Sequence, residues 1–148
     1  MRPSRSEPSL EPGSSPGFLL WRVTLRWQRR MTATLRPFGL THVQFVLLAS
    51  LWWLSDVLHE APSQRGLADF ADTDRMMTSQ VIRALEARGL VDRAADPDDS
   101  RARRLTVTPR GAELARTTIA AVEAADRDFF TPAGDPGRVL EILRALGV

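Results

Sequence analysis

The stretch DPDDSRARR, residues 96–104, gathers three aspartates and three arginines into nine residues, with Pro97 near its start. Proline and aspartate favour turns, so the stretch reads as a loop. Alone it would be a solvated, salt-bridged surface turn, the usual fate of a charge run. Its flanks point elsewhere. Leu90-Val91-Asp92-Arg93-Ala94 precedes it and Arg104-Leu105-Thr106-Val107-Thr108 follows, each alternating apolar and polar residues. Two short alternating segments around a turn-forming loop predict a β-hairpin with the charged stretch at its tip.

Upstream of the hairpin, Pro62 and Ser63 open a short helix through Gln64, Leu67, Ala68, Phe70 and Ala71. A turn at Asp72-Thr73 follows, and Thr73 is the expected cap of a helix over residues 74–88. Gly89 is placed to end that helix in a left-handed conformation. Two short helices joined by a tight turn and followed by a hairpin spell a winged helix-turn-helix. On a helical wheel Met77, Val81 and Leu85 face inward, flanked by Thr78 and Ile82. Met76, Ser79, Gln80 and Arg83 point the other way, with Arg75 at the edge. That outer face holds side chains able to reach base edges and phosphates, with no carboxylate at its centre. The opening stretch then becomes a wing whose arginines can enter a minor groove or pair with phosphates. Asp99 and Arg101 are expected to pair across the turn and direct the guanidinium, with Arg103 and Arg104 extending the positive surface along the strand.

Further out, Thr41 is a good cap for a helix over 42–58 that is apolar nearly all round, so it should sit at the centre of the fold. Before it, Leu20, Val23, Trp27, Met31, Leu35 and Phe38 form one stripe of a helix over about 17–36, with Arg22, Arg26, Arg29, Arg30 and Arg36 opposite. Pro109 and Gly111 start a long last helix carrying Leu114, Thr118, Ala121, Val122, Ala125 and Phe129 on one face. Pro132, Gly134, Pro136 and Gly137 interrupt it, and residues 139–146 form a final short helix. The predicted class is mainly α with a small β-hairpin: a winged helix-turn-helix lobe, about 40–111, plus a helical dimerisation lobe from about 17–36 and 112–147. Together these make one domain over 17–148, and residues 1–16, rich in Ser, Pro, Glu and Arg, read as a disordered tail.

Composition narrows the chemistry. All twenty basic residues of the 148 are arginine, a planar fork suited to phosphates and guanine edges. There is no cysteine, which removes disulfides, thiolate metal sites and thiol redox sensing. His42 and His59 stand seventeen residues apart, so no metal and no cofactor is expected. The most apolar run, residues 43–54, falls short of the ~20 residues that cross a bilayer. With prolines 3, 8, 12 and 16 breaking any signal segment, the expectation is a cytoplasmic protein. No nucleophile motif, phosphate loop or metal cluster appears, and Asp98 with Asp99 in a loop makes a poor acid–base pair, so no enzyme is expected.

From Leu40 to Gly111 the sequence resembles the multiple-antibiotic-resistance regulator (MarR) family of bacterial transcription regulators. The resemblance rests on LTHVQFVLLASL, QRGLADFA, MMTSQVIRALEARGLVDR and the wing DPDDSRARRLTVTPRG, with D-x-R and then L-T-x-x-G at the family's spacing. Asp99 and Arg101 match the family's wing Asp and Arg. Ser79 stands where a Thr is usual, Gln80 where a basic residue is common, and Val107 takes the Leu position, departures that bear on the target sequence rather than the fold. The resemblance implies a homodimer with interlocked terminal helices that binds double-stranded, palindromic operator DNA, ordinarily as a repressor. It further implies release by a small aromatic or phenolic effector in a crevice lined from the 42–58 helix, where His42, Trp52, Trp53 and His59 lie. The competing readings are a winged-helix protein-interaction module without specific DNA binding, and membrane association through the 18–36 helix.

Overall fold

The computed structural model describes residues 11–147. The first ten residues of the expected tail lie outside them. Residues 11–16 differ from the expectation: Pro12–Ser14 form a 3-10 turn and the first helix already begins at Pro16. Proline at a helix start costs no hydrogen bond, and the Ser15 hydroxyl accepts from Phe18 N–H at 3.3 Å.

In chain order the elements are α1 (Pro16–Leu35), α2 (His42–Trp52), α3 (Gln64–Ala71), α4 (Arg75–Ala87), β1 (Val91–Ala95), β2 (Arg103–Val107), α5 (Pro109–Phe130) and α6 (Pro136–Ala145). The apolar helix α2 is the hub and packs against α1, α3, α4, α5 and β2. Its start is fixed by a capping box: Gln44 N–H donates to the Thr41 hydroxyl at 3.2 Å, and Thr41 N–H to Gln44 Oε1 at 3.0 Å. Leu47, Leu48 and Leu51 are wholly buried. Truncating any of them to alanine removes about 2–5 kcal/mol in a core of this kind.

The predicted 42–58 helix is not uniform. At Trp53–Val57 it widens into a π turn, Leu58 N–H reaching Trp53 C=O at 3.1 Å and Glu60 N–H reaching Leu54 C=O at 2.7 Å. His59 follows with a positive φ of 56°, so the chain leaves the helix through a strained residue.

The helix-turn-helix forms as the spacing predicts, with one change of cap. Asp74, not Thr73, caps α4, its carboxylate accepting from Met77 N–H at 2.8 Å. The Thr73 hydroxyl lies 2.8 Å from that of Thr78 instead, which satisfies a hydroxyl buried under the turn. The inner face of α4 is Thr78, Val81, Ile82 and Leu85. Met77, expected inside, is partly exposed, because the core row runs through Thr78 at this end of the helix.

Gly89 (φ 70°) ends α4, and β1 pairs antiparallel with β2 from Val91↔Val107 to Ala95↔Arg103. The Thr108 hydroxyl accepts from Gly111 N–H at 3.0 Å and donates to the Gly89 carbonyl at 2.7 Å, tying the start of α5 to the end of α4. Along α5, Ala115, Thr118, Val122 and Ala125 are buried against the hub. The helical ends are left bare: Phe18, Leu19, Leu20, Trp21 and Val23 on α1, and Leu140, Ile142 and Leu143 on α6 with Leu146 just beyond it, are all exposed. Leu20 and Val23 belong to the predicted stripe, which is therefore buried within the chain only from Trp27 onward.

At the junction of α1, α2 and α5, the Trp27 indole N–H donates to Asp126 at 2.7 Å and the Trp27 ring meets His42 edge-on at 5.0 Å. Burial lowers the His42 pKa below its ordinary 6.5, with Asp126 opposing the shift. The unfolded chain therefore binds the proton before the folded one does. Stability contributed here is complete above pH 6.5 and declines as the pH falls below it. The expected result is a lower melting temperature at about pH 5.5 than at about pH 7.5, and a smaller difference in His42→Gln. A His42→Gln chain with an undiminished difference places the titration elsewhere.

Among the described residues no single helix is long and apolar enough to cross a membrane. A pair bent by 74°, Pro16–Phe38 with His42–Val57, passes on length and composition only, and the core leucines of α2 supply much of its apolar character.

Candidate nucleic-acid interface

On α4 the outward residues are Arg75, Met76, Gln80 and Arg83, with Ser79 half-buried beside them. Met76 is 74% exposed, an apolar side chain held open at the helix start. Arg83 Nη2 donates to the Ser79 hydroxyl at 3.1 Å, one helical turn away, so Ser79 steadies a guanidinium as well as facing outward. Arg75 lies 3.9 Å from Asp69 of α3, an exposed pair of little energetic weight. The face keeps its cations toward solvent, and its Arg, Gln and Met side chains are of the kinds that can meet base edges and thymine methyl groups.

In the wing, two expectations are corrected. Asp99 does not hold the Arg101 guanidinium: its carboxylate accepts the Arg101 backbone N–H at 2.9 Å, a local turn bond between residues two apart. Arg101 and Arg103 are exposed. Arg104 is not a free positive charge. Its Nε donates to Asp96 Oδ2 at 2.7 Å and its Nη1 to the Ala61 carbonyl at 3.1 Å. Asp96 is buried, and its other oxygen accepts Asp98 N–H at 2.9 Å. That backbone bond, with Arg104 beside it, lowers the Asp96 pKa against the opposing effect of burial.

Leu105 N–H also donates to Pro62 C=O at 2.9 Å, and Ser63 bridges Arg104. The base of the wing is thus fastened to the segment joining α2 and α3. The ion pair is a diagonal neighbour pair: the ladder continues from Ala95↔Arg103 to an Asp96 N–H bond with Ala102, which puts residues 96 and 104 on one face. The hairpin register carried this signal, and composition alone did not. A second tie is Arg93 of β1, whose Nε donates to Glu86 of α4 at 3.0 Å. The wing and α4 are therefore joined directly.

The four residues proposed for an effector do not come together. Trp52 and Trp53 line one cleft of about 410 Å³ with Ala49, Ser50, Phe70, Ile119 and Glu123, between α2, α3 and α5. His42 sits against Trp27, and His59 lies beyond the π turn, so neither lines the cleft. Phe70, Ile119 and Glu123 went unnoticed in sequence because they reach the cleft from helices whose packing no local pattern reveals. Trp52 Nε1 and Ser55 Oγ are buried without a hydrogen-bond partner among the described residues.

Known proteins agree with this architecture. Residues 40–102 match the MarR family profile. The HTH-type transcriptional regulator YdcH of Bacillus subtilis is 43% identical over 123 residues, 82% of this chain and 82% of that protein. The structure of CouR from Rhodococcus jostii RHA1 bound to p-coumaroyl-CoA superposes with a TM-score of 0.78 at 30% identity, covering 93% of this chain and 92% of that one. The Mycobacterium tuberculosis MarR family protein Rv2887, in complex with salicylic acid, gives 0.65 at 32% identity over 90% and 94% of the two chains. With its winged helix-turn-helix, its fastened wing and these relatives, the chain belongs to the MarR family of transcription regulators.

Proposed function

We propose that this chain is a cytoplasmic, ligand-responsive repressor that binds a palindromic operator as a homodimer. The observation that carries the reading is the open Arg75, Met76, Gln80 and Arg83 face of α4, tied through Glu86–Arg93 to a wing with Arg101 and Arg103 exposed at its surface. In this reading the α4 face, with Ser79 steadying Arg83, enters the major groove. Arg101 and Arg103 take the minor groove or flanking phosphates, while Asp99 orders the wing tip and Arg104 holds its base. The bare apolar ends of α1 and α6 are the surface a second copy covers, since so many large apolar side chains are rarely left to water. Relatives that hold an aromatic acid or an aromatic acyl-CoA support a small effector, and the Trp52–Trp53 cleft is where this chain has room for one.

The test is a fluorescence-anisotropy titration on DNA from upstream of the chain's own gene, against scrambled DNA, at several salt concentrations. Tight binding to the first, falling steeply with salt, is the expected result. Equal and weak binding to both, insensitive to salt, favours the interaction module. Within that assay Arg101→Ala should weaken operator binding roughly tenfold while the melting temperature holds. Arg83→Ala should flatten the preference among operator variants; a uniform loss on all DNA would make Arg83 a phosphate contact instead.

A further inference from the structure

Building on the effector reading, we propose that the Trp52–Trp53 cleft takes a small aromatic cation rather than an aromatic carboxylate. Three aromatic side chains line the cleft; Trp53 is 46% and Phe70 53% exposed, so both rings are open to a ligand. The only charged residue among those lining it is Glu123, exposed on α5. Among the described residues that line it there is no arginine, and the chain has no lysine. Arg116, two turns earlier on α5, is already engaged by Glu113 at 2.9 Å and Asp56 at 3.8 Å.

A carboxylate entering this cleft meets a like charge and has no lining cation to answer it. An ammonium on an aromatic body meets the Glu123 carboxylate and the open indole of Trp53, the ring type that best attracts cations. Ser50 adds a hydroxyl to the lining. Salicylic acid, held by one relative of the same fold, is an anion, but the charge on this cleft wall selects the opposite sign.

The experiment uses the full chain and three probes on one ring system: 2-naphthylmethylammonium, the neutral 2-naphthalenemethanol and 2-naphthoate. Each is titrated calorimetrically, and each is added to the operator complex. The expected order is cation, then alcohol, then carboxylate, with the cation about three- to tenfold tighter than the alcohol. Glu123→Gln, an exposed helix position, should erase the gap between cation and alcohol and leave the alcohol's affinity unchanged. Trp53→Ala should weaken all three. If naphthoate binds tightest, or Glu123→Gln leaves the order intact, the cation assignment is overturned, while sensitivity to Trp53→Ala would still uphold the cleft as the effector site. If none of the probes binds the wild-type chain, both readings fall.

Discussion

Gly111→Ala is expected to destabilise the fold by about 3 kcal/mol or more, read as a drop in urea midpoint and melting temperature. A Cβ on residue 111 would stand 1.9 Å from the Leu90 carbonyl oxygen and 2.9 Å from its carbon. Relief requires a displacement of about 1 Å between two pieces of backbone. Neither can yield cheaply. The Leu90 carbonyl accepts Thr108 N–H at 3.1 Å, the Leu90 side chain is buried, and the Thr108 hydroxyl ties Gly89 to Gly111. The start of α5 must then lift off the end of α4, which carries the proposed reading face. A Gly111→Ala chain as stable as the parent would show that this junction is looser than its hydrogen bonds imply.

Arg104→Met should have the largest effect on operator binding among the wing arginines, a loss on the order of tenfold to a hundredfold, although the side chain touches no DNA in this reading. Methionine keeps the apolar stem and deletes the guanidinium. The buried Asp96 carboxylate then keeps its backbone bond to Asp98 and loses its cation, and the Ala61 carbonyl loses a donor. The wing base is left with the Leu105–Pro62 backbone bond as its tie to the α2–α3 segment. Discrimination among bases by α4 should persist, because Arg93–Glu86 is untouched. Arg104→Lys separates the alternatives. A lysine would serve a phosphate contact nearly as well, but one ammonium cannot reproduce the fork that spans Asp96 and Ala61. If Arg104→Lys binds operator like the parent, Arg104 is a phosphate contact and not a brace.

Most elements were legible in sequence because each announces itself locally; the start of α6 was not, since Pro136 and Gly137, read as a break, are its first residues, capped by Asp135. Thr41 marks a helix start, Gly89 a left-handed stop, and residues 90–94 and 104–108 an alternating hairpin. The α4 outer face was equally legible, since a wheel needs only the helix. What stayed hidden depends on which of several equivalent partners is chosen. Thr73 and Asp74 are both good caps, and the burial of Thr78 drew the threonine elsewhere. Three aspartates and three arginines in the wing allow many pairings. Burial at the hairpin base selected Asp96 with Arg104, leaving Asp99 to a backbone amide. His42 and His59 share a stretch of sequence with the tryptophans but not their place: His42 opens α2 against Trp27, and the π turn and the positive φ redirect the chain at His59.

The bare ends of α1 and α6 carry a consequence for regulation in the cell. In the homodimer proposed above, where a second copy covers Leu140, Ile142, Leu143 and Leu146, binding-competent protein would exist only as copies find one another. At low expression its amount then rises as the square of chain number rather than in proportion to it. A modest fall in synthesis would empty the operator sharply, so the target genes would switch at a threshold even before any effector arrives.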